Sequence, residues 1–239
     1  MNTSVDEITN GIYRVSTYIE QADFIFNQYL IKADQPLLFH CGTHGLFPLV
    51  SEAVAKVIPL EQLRWISFGH FEADESGTMN DWLAAAPDAQ VAVGTICCMT
   101  SVNDLAIRPP RPLEDGETID LGNKQVRYVA TPHVPHSWDA GVMFEETTKT
   151  LFCGDLFTRV GSSPAVSAED PVEPALAAED IFGATALTPN TAPTIRRLAD
   201  LKPDMLALMH GPAFRGDCES ALNRLADGYA ERFNTRLSE

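Results

Sequence analysis

Apolar positions along the chain fall into short strand-like runs and longer stretches of helical spacing, and the two alternate. Gly11-Ile-Tyr-Arg-Val-Ser-Thr-Tyr18, Asn27-Gln-Tyr-Leu-Ile-Lys32 and Pro36-Leu-Leu-Phe39 each set β-branched or aromatic residues between turn formers, which predicts an opening β-meander. Leu46, Leu49, Val50, Ala53, Val54 and Val57 recur at helical spacing and predict a helix over 46–57, followed by a strand at Trp65-Ile-Ser-Phe68. Ser76 is placed to cap a further helix over 78–86, with Met79 and Trp82 in its core face and Pro87 as its stop. A second β-rich unit follows at 90–94, 117–121, 125–130, 140–144 and 150–153. The last third predicts helices over 174–182, 191–200 and 217–233 around one strand, Met205-Leu-Ala-Leu-Met209. Residues 159–175, rich in Ser, Pro, Ala and acids without periodicity, read as a loop over one edge. Strands and helices thus occur in two similar rounds. This predicts an α/β fold of two β-sheets packed face to face with helices outside, in a single domain over 1–239.

Composition narrows the partners. The chain has 239 residues, 45% of them hydrophobic, enough for a sizeable core. A formal charge of -16 without any Lys/Arg cluster argues against nucleic acid and anionic membranes, and in favour of small molecules or a protein partner. No apolar run approaches the roughly 20 residues of a membrane span, and the polar, acidic start Met1-Asn-Thr-Ser-Val-Asp-Glu7 is unlike a signal peptide, so a cytoplasmic protein is expected. Cys41, Cys97, Cys98, Cys153 and Cys218 form an odd set without C-x-x-C spacing and are expected as reduced, buried thiols.

The chemistry concentrates where predicted strands end. His70-Phe-Glu-Ala-Asp-Glu75 puts one imidazole and three carboxylates after Phe68; His133 and His136 follow Ala130, Asp155 follows Cys153, and His210 follows Met209. Gathering such groups without a cation is costly in desolvation and carboxylate repulsion, so the loop is either solvated or holds something positive. Four strand ends converging on one sheet edge would supply a single site on rigid supports. Each residue alone has an ordinary structural role open to it: a hydrogen-bonded histidine, or an aspartate in a turn.

In this order the residues resemble the metallo-β-lactamase superfamily, and the His-x-Glu-x-Asp form of the loop is similar to the di-iron domain of flavodiiron proteins and to the stand-alone oxygen-binding di-iron proteins. The likeness runs from about residue 10 to 215 and includes His136 with Asp139, Gly154-Asp155-Leu-Phe157 and Met209-His210-Gly211. It implies an αββα sandwich of two mixed sheets. It also implies a two-metal site with His70, Glu72 and His136 on one metal, Asp74 and His210 on the other, and Asp155 between them. Glu75 stands where the family usually has a second histidine. Ligation of the second metal, a hydrogen bond to a bound water and exposure to solvent are all open to it.

Three carboxylates nearly balance two divalent cations and suit iron, with zinc or manganese as alternatives. The resemblance implies a non-haem di-iron protein that binds O2, for sensing or storage, or that reduces O2 or NO. Because the chain stops soon after His210, no flavodoxin domain and no intrinsic FMN are expected. Electrons would come from an external donor, with a signalling protein partner or a homodimer as further possibilities. The rival reading is a metallo-hydrolase of an ester, lactone, thioester or phosphodiester that uses a metal-bridged hydroxide. His133 could stand in for His136 and is otherwise expected just behind the ligands. His40 and His44 are expected to be structural, Phe71 and Trp138 to exclude water, and Gly77 to permit close backbone approach beneath the loop.

Overall fold

The computed structural model describes residues 2–238. Two seven-stranded sheets face one another. The first runs in chain order through β1 (Asn2–Thr9), β2 (Ile12–Ile19), β3 (Phe24–Ile31), β4 (Leu37–Phe39), β5 (Trp65–Ser67), β6 (Gln90–Gly94) and β7 (Arg111–Leu113). Its first four strands are antiparallel; from β4 onward the neighbours are parallel. The second sheet comprises β8 (Thr118–Asp120), β9 (Gln125–Ala130), β10 (Gly141–Glu145), β11 (Thr150–Phe152), β12 (Val166–Ser167), β13 (Met205–Ala207) and β14 (Ala213–Phe214), in the order β12-β14-β13-β11-β10-β9-β8. Only β11–β13 and β12–β14 pair in parallel there.

Both faces of each sheet are buried, which is why so many strands read as continuous apolar runs rather than alternating ones. Tyr29, Ile31, Leu37, Phe39, Tyr128 and Phe152 fill the space between the sheets. The alternate residues Leu30 and Leu38 point the other way, under α1 (Phe47–Ala55), and the short α2 (Ala73–Ser76) leads into α3 (Met79–Ala85) on the same side. On the far side Leu151 and Leu206 pack against α6 (Val172–Phe182), α7 (Thr191–Ala199) and α8 (Cys218–Ser238). The layers are therefore α, β, β, α, as expected. The five cysteines are free and buried.

Several local expectations need correction. β1 was not anticipated, because it is an outer strand in which Ile8 is buried but most of its other residues are polar and partly exposed. The stretch after β6 is helical, with α4 (Thr95–Cys97) and α5 (Asn103–Leu105) joined by a wide turn at Cys98–Val102. Ser76 caps nothing: it closes α2, and its hydroxyl donates to Glu72 O at 2.8 Å, while Thr78 precedes α3 without a side-chain cap. The supposed loop over 159–175 contains β12, and α6 already begins at Val172. No helix among the described residues is long and apolar enough to cross a membrane.

Candidate metal centre

Two neighbouring parallel strands and three strand ends of the second sheet deliver the site. The parallel register of β4 with β5 sets Phe39 beside Ser67, so the chain leaves both strands at one edge, at His40 and at Gly69-His70. Glu72 occupies the N-cap position of α2, yet its side chain makes no cap bond to the helix, which leaves the carboxylate free to turn toward the cavity. Its Oε2 lies 2.8 Å from His70 Nε2 and 3.1 Å from His136 Nε2, and the two Nε2 atoms are 3.0 Å apart. Asp155, which follows β11, completes this cluster, its Oδ2 lying 3.4 Å from His136 Nε2 and 3.7 Å from His70 Nε2. Donor atoms of His70, Glu72, His136 and Asp155 all fall within 4.8 Å of one another.

The other oxygen of Asp155 faces elsewhere. Its Oδ1 is 3.3 Å from His210 Nε2, which is itself 3.4 Å from Asp74 Oδ2. One carboxylate is thus shared between a group of three donors and a group of two. This arrangement has the form of a two-metal site with a bridging aspartate.

The donor set fits cations. Two imidazole Nε2 atoms at 3.0 Å present lone pairs to each other unless a proton or metal lies between them. Asp155 Oδ1 is buried and accepts no hydrogen bond. Without a cation, the imidazoles take up the positive charge. Burial pulls the His70 imidazole down, but the Glu75 charge and bonds to Glu72 and Glu75 outweigh it and push it up to about 11. Burial also opposes the charge on His210, while the close carboxylates of Asp155 and Asp74 push it up to about 10. Desolvation would raise Asp155, yet the close approach of His210 and the neighbouring imidazoles holds it well below the usual carboxylate range. The bond to His70 is the main cause that keeps Glu72 low; burial opposes it and His136 assists.

Glu75 is placed otherwise than a ligand would be. It follows Asp74 by one residue on a helical turn, so its side chain projects about 100° around the axis and runs inward beneath the sheet edge. It is fully buried; Oε2 accepts the backbone N–H groups of Gly69 and His70, the latter at 2.9 Å, and Oε1 lies 3.2 Å from His70 Nδ1. His40 Nε2 is 3.7 Å from the same oxygen, and His40 Nδ1 is 3.2 Å from Asn27 O. Of the three places open to Glu75, the observed one is none: it orients His70 from behind. Gly69 permits this, since a Cβ there would lie 2.9 Å from Glu75 Oε2. Gly77 likewise lets the end of α2 run against the backbone at Ala73 and Gly42.

His210 is held by residues without any motif signal. Its Nδ1 donates to Ile25 O at 2.7 Å, which in the neutral tautomer frees Nε2 for a metal. Its ring packs against Phe24 and Phe26, with centroids at 4.4 and 5.3 Å. Asn27 Nδ2 donates to the carbonyls of Leu208 and Gly211 at 2.8 and 2.7 Å, and Tyr29 Oη donates to Leu208 O at 2.6 Å. Asp139 accepts from Phe71 N at 3.1 Å and from the Ser137 hydroxyl, which ties the His136 loop to the His70 loop.

Three expectations about surrounding residues fail. His133 takes a left-handed backbone, φ +65°, and turns outward to an exposed groove beside Arg197, away from the ligands. Trp138 is 57% exposed and lines a different groove with Ile96 and Leu113. Phe71 packs beside Phe68 on the outer apolar cluster of the first sheet, outside the cavity wall. His40 is buried in the support of the site, whereas His44 is exposed beside Asp81. The cavity, about 230 Å³, is walled instead by Phe24, Pro135, Ala175, Phe182 and Tyr229, with Thr158, Glu179 and Thr185 as its polar groups beyond the donors.

Comparison with known proteins gives the family and the fold. The chain is 26% identical over 200 residues to the anaerobic nitric oxide reductase flavorubredoxin of Salmonella arizonae, covering 80% of this chain and 41% of that one. It is 27% identical over 207 residues to diflavin flavoprotein A 3 of Nostoc sp., covering 83% of this chain and 35% of the relative. The chain therefore spans well under half the length of these curated relatives. Its fold superposes on rubredoxin oxygen:oxidoreductase of Desulfovibrio gigas with a TM-score of 0.80 at 19% identity, over 97% of this chain and 62% of that one. It superposes on the flavodiiron protein of Giardia intestinalis with a TM-score of 0.78 at 16% identity, over 96% and 60%. At these identities the likeness to the solved structures is one of fold. The model of the ODP family beta lactamases matches residues 24–211, a span that includes every donor described above, and the chain belongs to that family, within the metallo-β-lactamase superfamily.

Proposed function

We propose that this protein is a non-haem di-iron protein that binds O2 or NO in the cavity beside Asp155, and that it reduces the bound gas when a donor supplies electrons. The observation that carries the reading is the shared carboxylate of Asp155, with Oδ2 toward His70 and His136 and Oδ1 toward His210. In this reading His70, Glu72 and His136 hold one iron, Asp74 and His210 hold the other, and Asp155 bridges. Glu75 supports the site without entering it. The iron pair would supply a place for a diatomic gas and a store of electrons.

The chain's own residues do the rest. The three carboxylates offset most of the charge of two divalent cations and favour harder metals over zinc. The apolar walls exclude bulky polar substrates and admit a small gas. The relatives named for oxygen and nitric oxide reduction support both gases as candidates. A donor from outside the cavity would deliver electrons across the rim at Phe24 and Phe182, whose rings meet at 6.0 Å.

The test is anaerobic purification, quantification of Fe, Zn and Mn, and a visible spectrum before and after exposure to air. A pair of irons per chain with a new charge-transfer band is the expected outcome. Stoichiometric zinc with no spectral response would overturn the reading and favour hydrolysis.

A further inference from the structure

We propose that Glu179 is the residue that carries protons from solvent to the metal cavity. The inference rests on the redox reading above. Each electron that a one-electron donor delivers to O2 or NO is matched by one proton, and the products are water, or nitrous oxide and water. The donor residues cannot supply those protons if their lone pairs are committed to metal. Among the cavity's remaining side chains, Glu179 is the one carboxylate outside the donor set.

Its position suits the task. Glu179 lies in α6, is only 6% exposed, and lines two spaces at once: the metal cavity, and an open groove formed with Asp180, Glu231, Arg232, Thr235 and Arg236. Its two oxygens are used unequally. Oε2 accepts the Thr185 backbone N–H at 3.0 Å and the Thr185 hydroxyl at 2.7 Å, which ties down the turn after α6. Oε1 is buried and accepts no hydrogen bond, and the Arg236 guanidinium approaches it only to 3.9 Å.

A carboxylate kept only to hold the turn needs one oxygen, and the amide of a glutamine would provide it. The second oxygen is buried without a hydrogen bond and is left over for another role. Tyr229 of α8 is buried in the same cavity wall. Burial is the main cause that lifts its phenol to about 12, so it does not itself release protons near neutrality. The groups that face Glu179 are therefore Arg232 and Arg236 with Glu231 and Asp180 on the groove side, and Tyr229 with the donor carboxylates and imidazoles on the cavity side. In operation Oε1 takes a proton from groove water as the metals are reduced and gives it up to water in the cavity as the gas is reduced, so the carboxyl is protonated in the reduced state and returns to its starting form after each turnover.

The test compares iron-loaded wild-type protein with E179Q and E179D. Infrared difference spectra between the oxidised and reduced metal states should show a protonated-carboxyl band in wild type that shifts in D2O, is lost in E179Q and returns in E179D. With a one-electron donor, gas reduction by E179Q should slow about a hundredfold, the scale of a lost general acid, while iron content and melting temperature stay unchanged. A wild-type spectrum without that band, or an E179Q protein with the wild-type band and rate, would overturn the relay alone. A chain that holds no redox-active metal would overturn both the relay and the function beneath it.

Discussion

Glu72 is the side chain on which the proposed metal selection turns. It is half exposed, yet its Oε2 is held between His70 and His136 at 2.8 and 3.1 Å, so it enters the cluster as a charged donor, not as a solvated surface group. With Asp74 and Asp155 it brings three negative charges to the centre. Glu72→His would remove one of them. If charge balance selects the metal, that variant should come out of cells enriched in zinc over iron and respond weakly to air, as read by elemental analysis and visible absorption. An unchanged iron content would show that the selection lies elsewhere. Glu75 is the counterexample at the same scale. It has the same chemistry and lies in the same run, but it points inward, with its oxygens spent on Gly69 and His70.

At the scale of elements, the site depends on β3 as much as on the loops that carry ligands. Asn27 and Tyr29 project from β3 of the first sheet and fix the carbonyls of Leu208 and Gly211 on either side of His210, which follows β13 of the second. These bonds link the two sheets at their shared edge. Asn27→Ala removes one hydrogen bond from each of two buried carbonyls, which keep Tyr29 and Arg14 as donors, and the two lost bonds should together cost about 1–3 kcal/mol in chemical denaturation. It should also loosen the metal held by Asp74 and His210 before the other, so chelator release should become biphasic, with one metal lost sooner than in wild type. A uniform effect on both metals would place the coupling in general stability instead. The brevity of α2 belongs to the same scale. One turn suffices to send Asp74 into the cavity and Glu75 beneath it.

For the molecule as a whole, the centre joins two halves that also meet through apolar packing and the hydrogen bonds from β3. Donors come from β5 and α2 on one side and from the ends of β9, β11 and β13 on the other. A metal that binds only the folded arrangement stabilises it. At a hundredfold excess over its dissociation constant the gain is about 2.7 kcal/mol, or about 5–10 °C in Tm for a domain of this size. Calorimetry with and without a chelator should show this difference, and Asp155→Ala, which removes the shared donor, should abolish most of it. Equal melting of metal-free and metal-loaded protein would mean that the folded arrangement does not bind the metal in preference to the unfolded chain.

By itself, the sequence determined the layers and set most of the candidate donors at strand ends. Apolar runs such as Tyr29–Ile31 and Leu37–Phe39 have to be buried on both faces, and helical spacing over 46–57 has to turn one face inward; those demands depend on local periodicity and leave few architectures. The order His70, Glu72, Asp74, His136, Asp155, His210 was readable for the same reason, since each residue stands at the end of a run. Edge strands such as β1 and the helical turns after β6 were not readable, because little of their surface is apolar or their apolar residues stay exposed. Tertiary structure alone decided which way side chains point. It turned Glu75 and His40 behind His70, sent His133 and Trp138 outward, and brought Phe24, Asn27, Glu179 and Tyr229 to the cavity from distant parts of the chain. Orientation around a helical turn and contact across sheets depend on long-range packing, which no local pattern encodes.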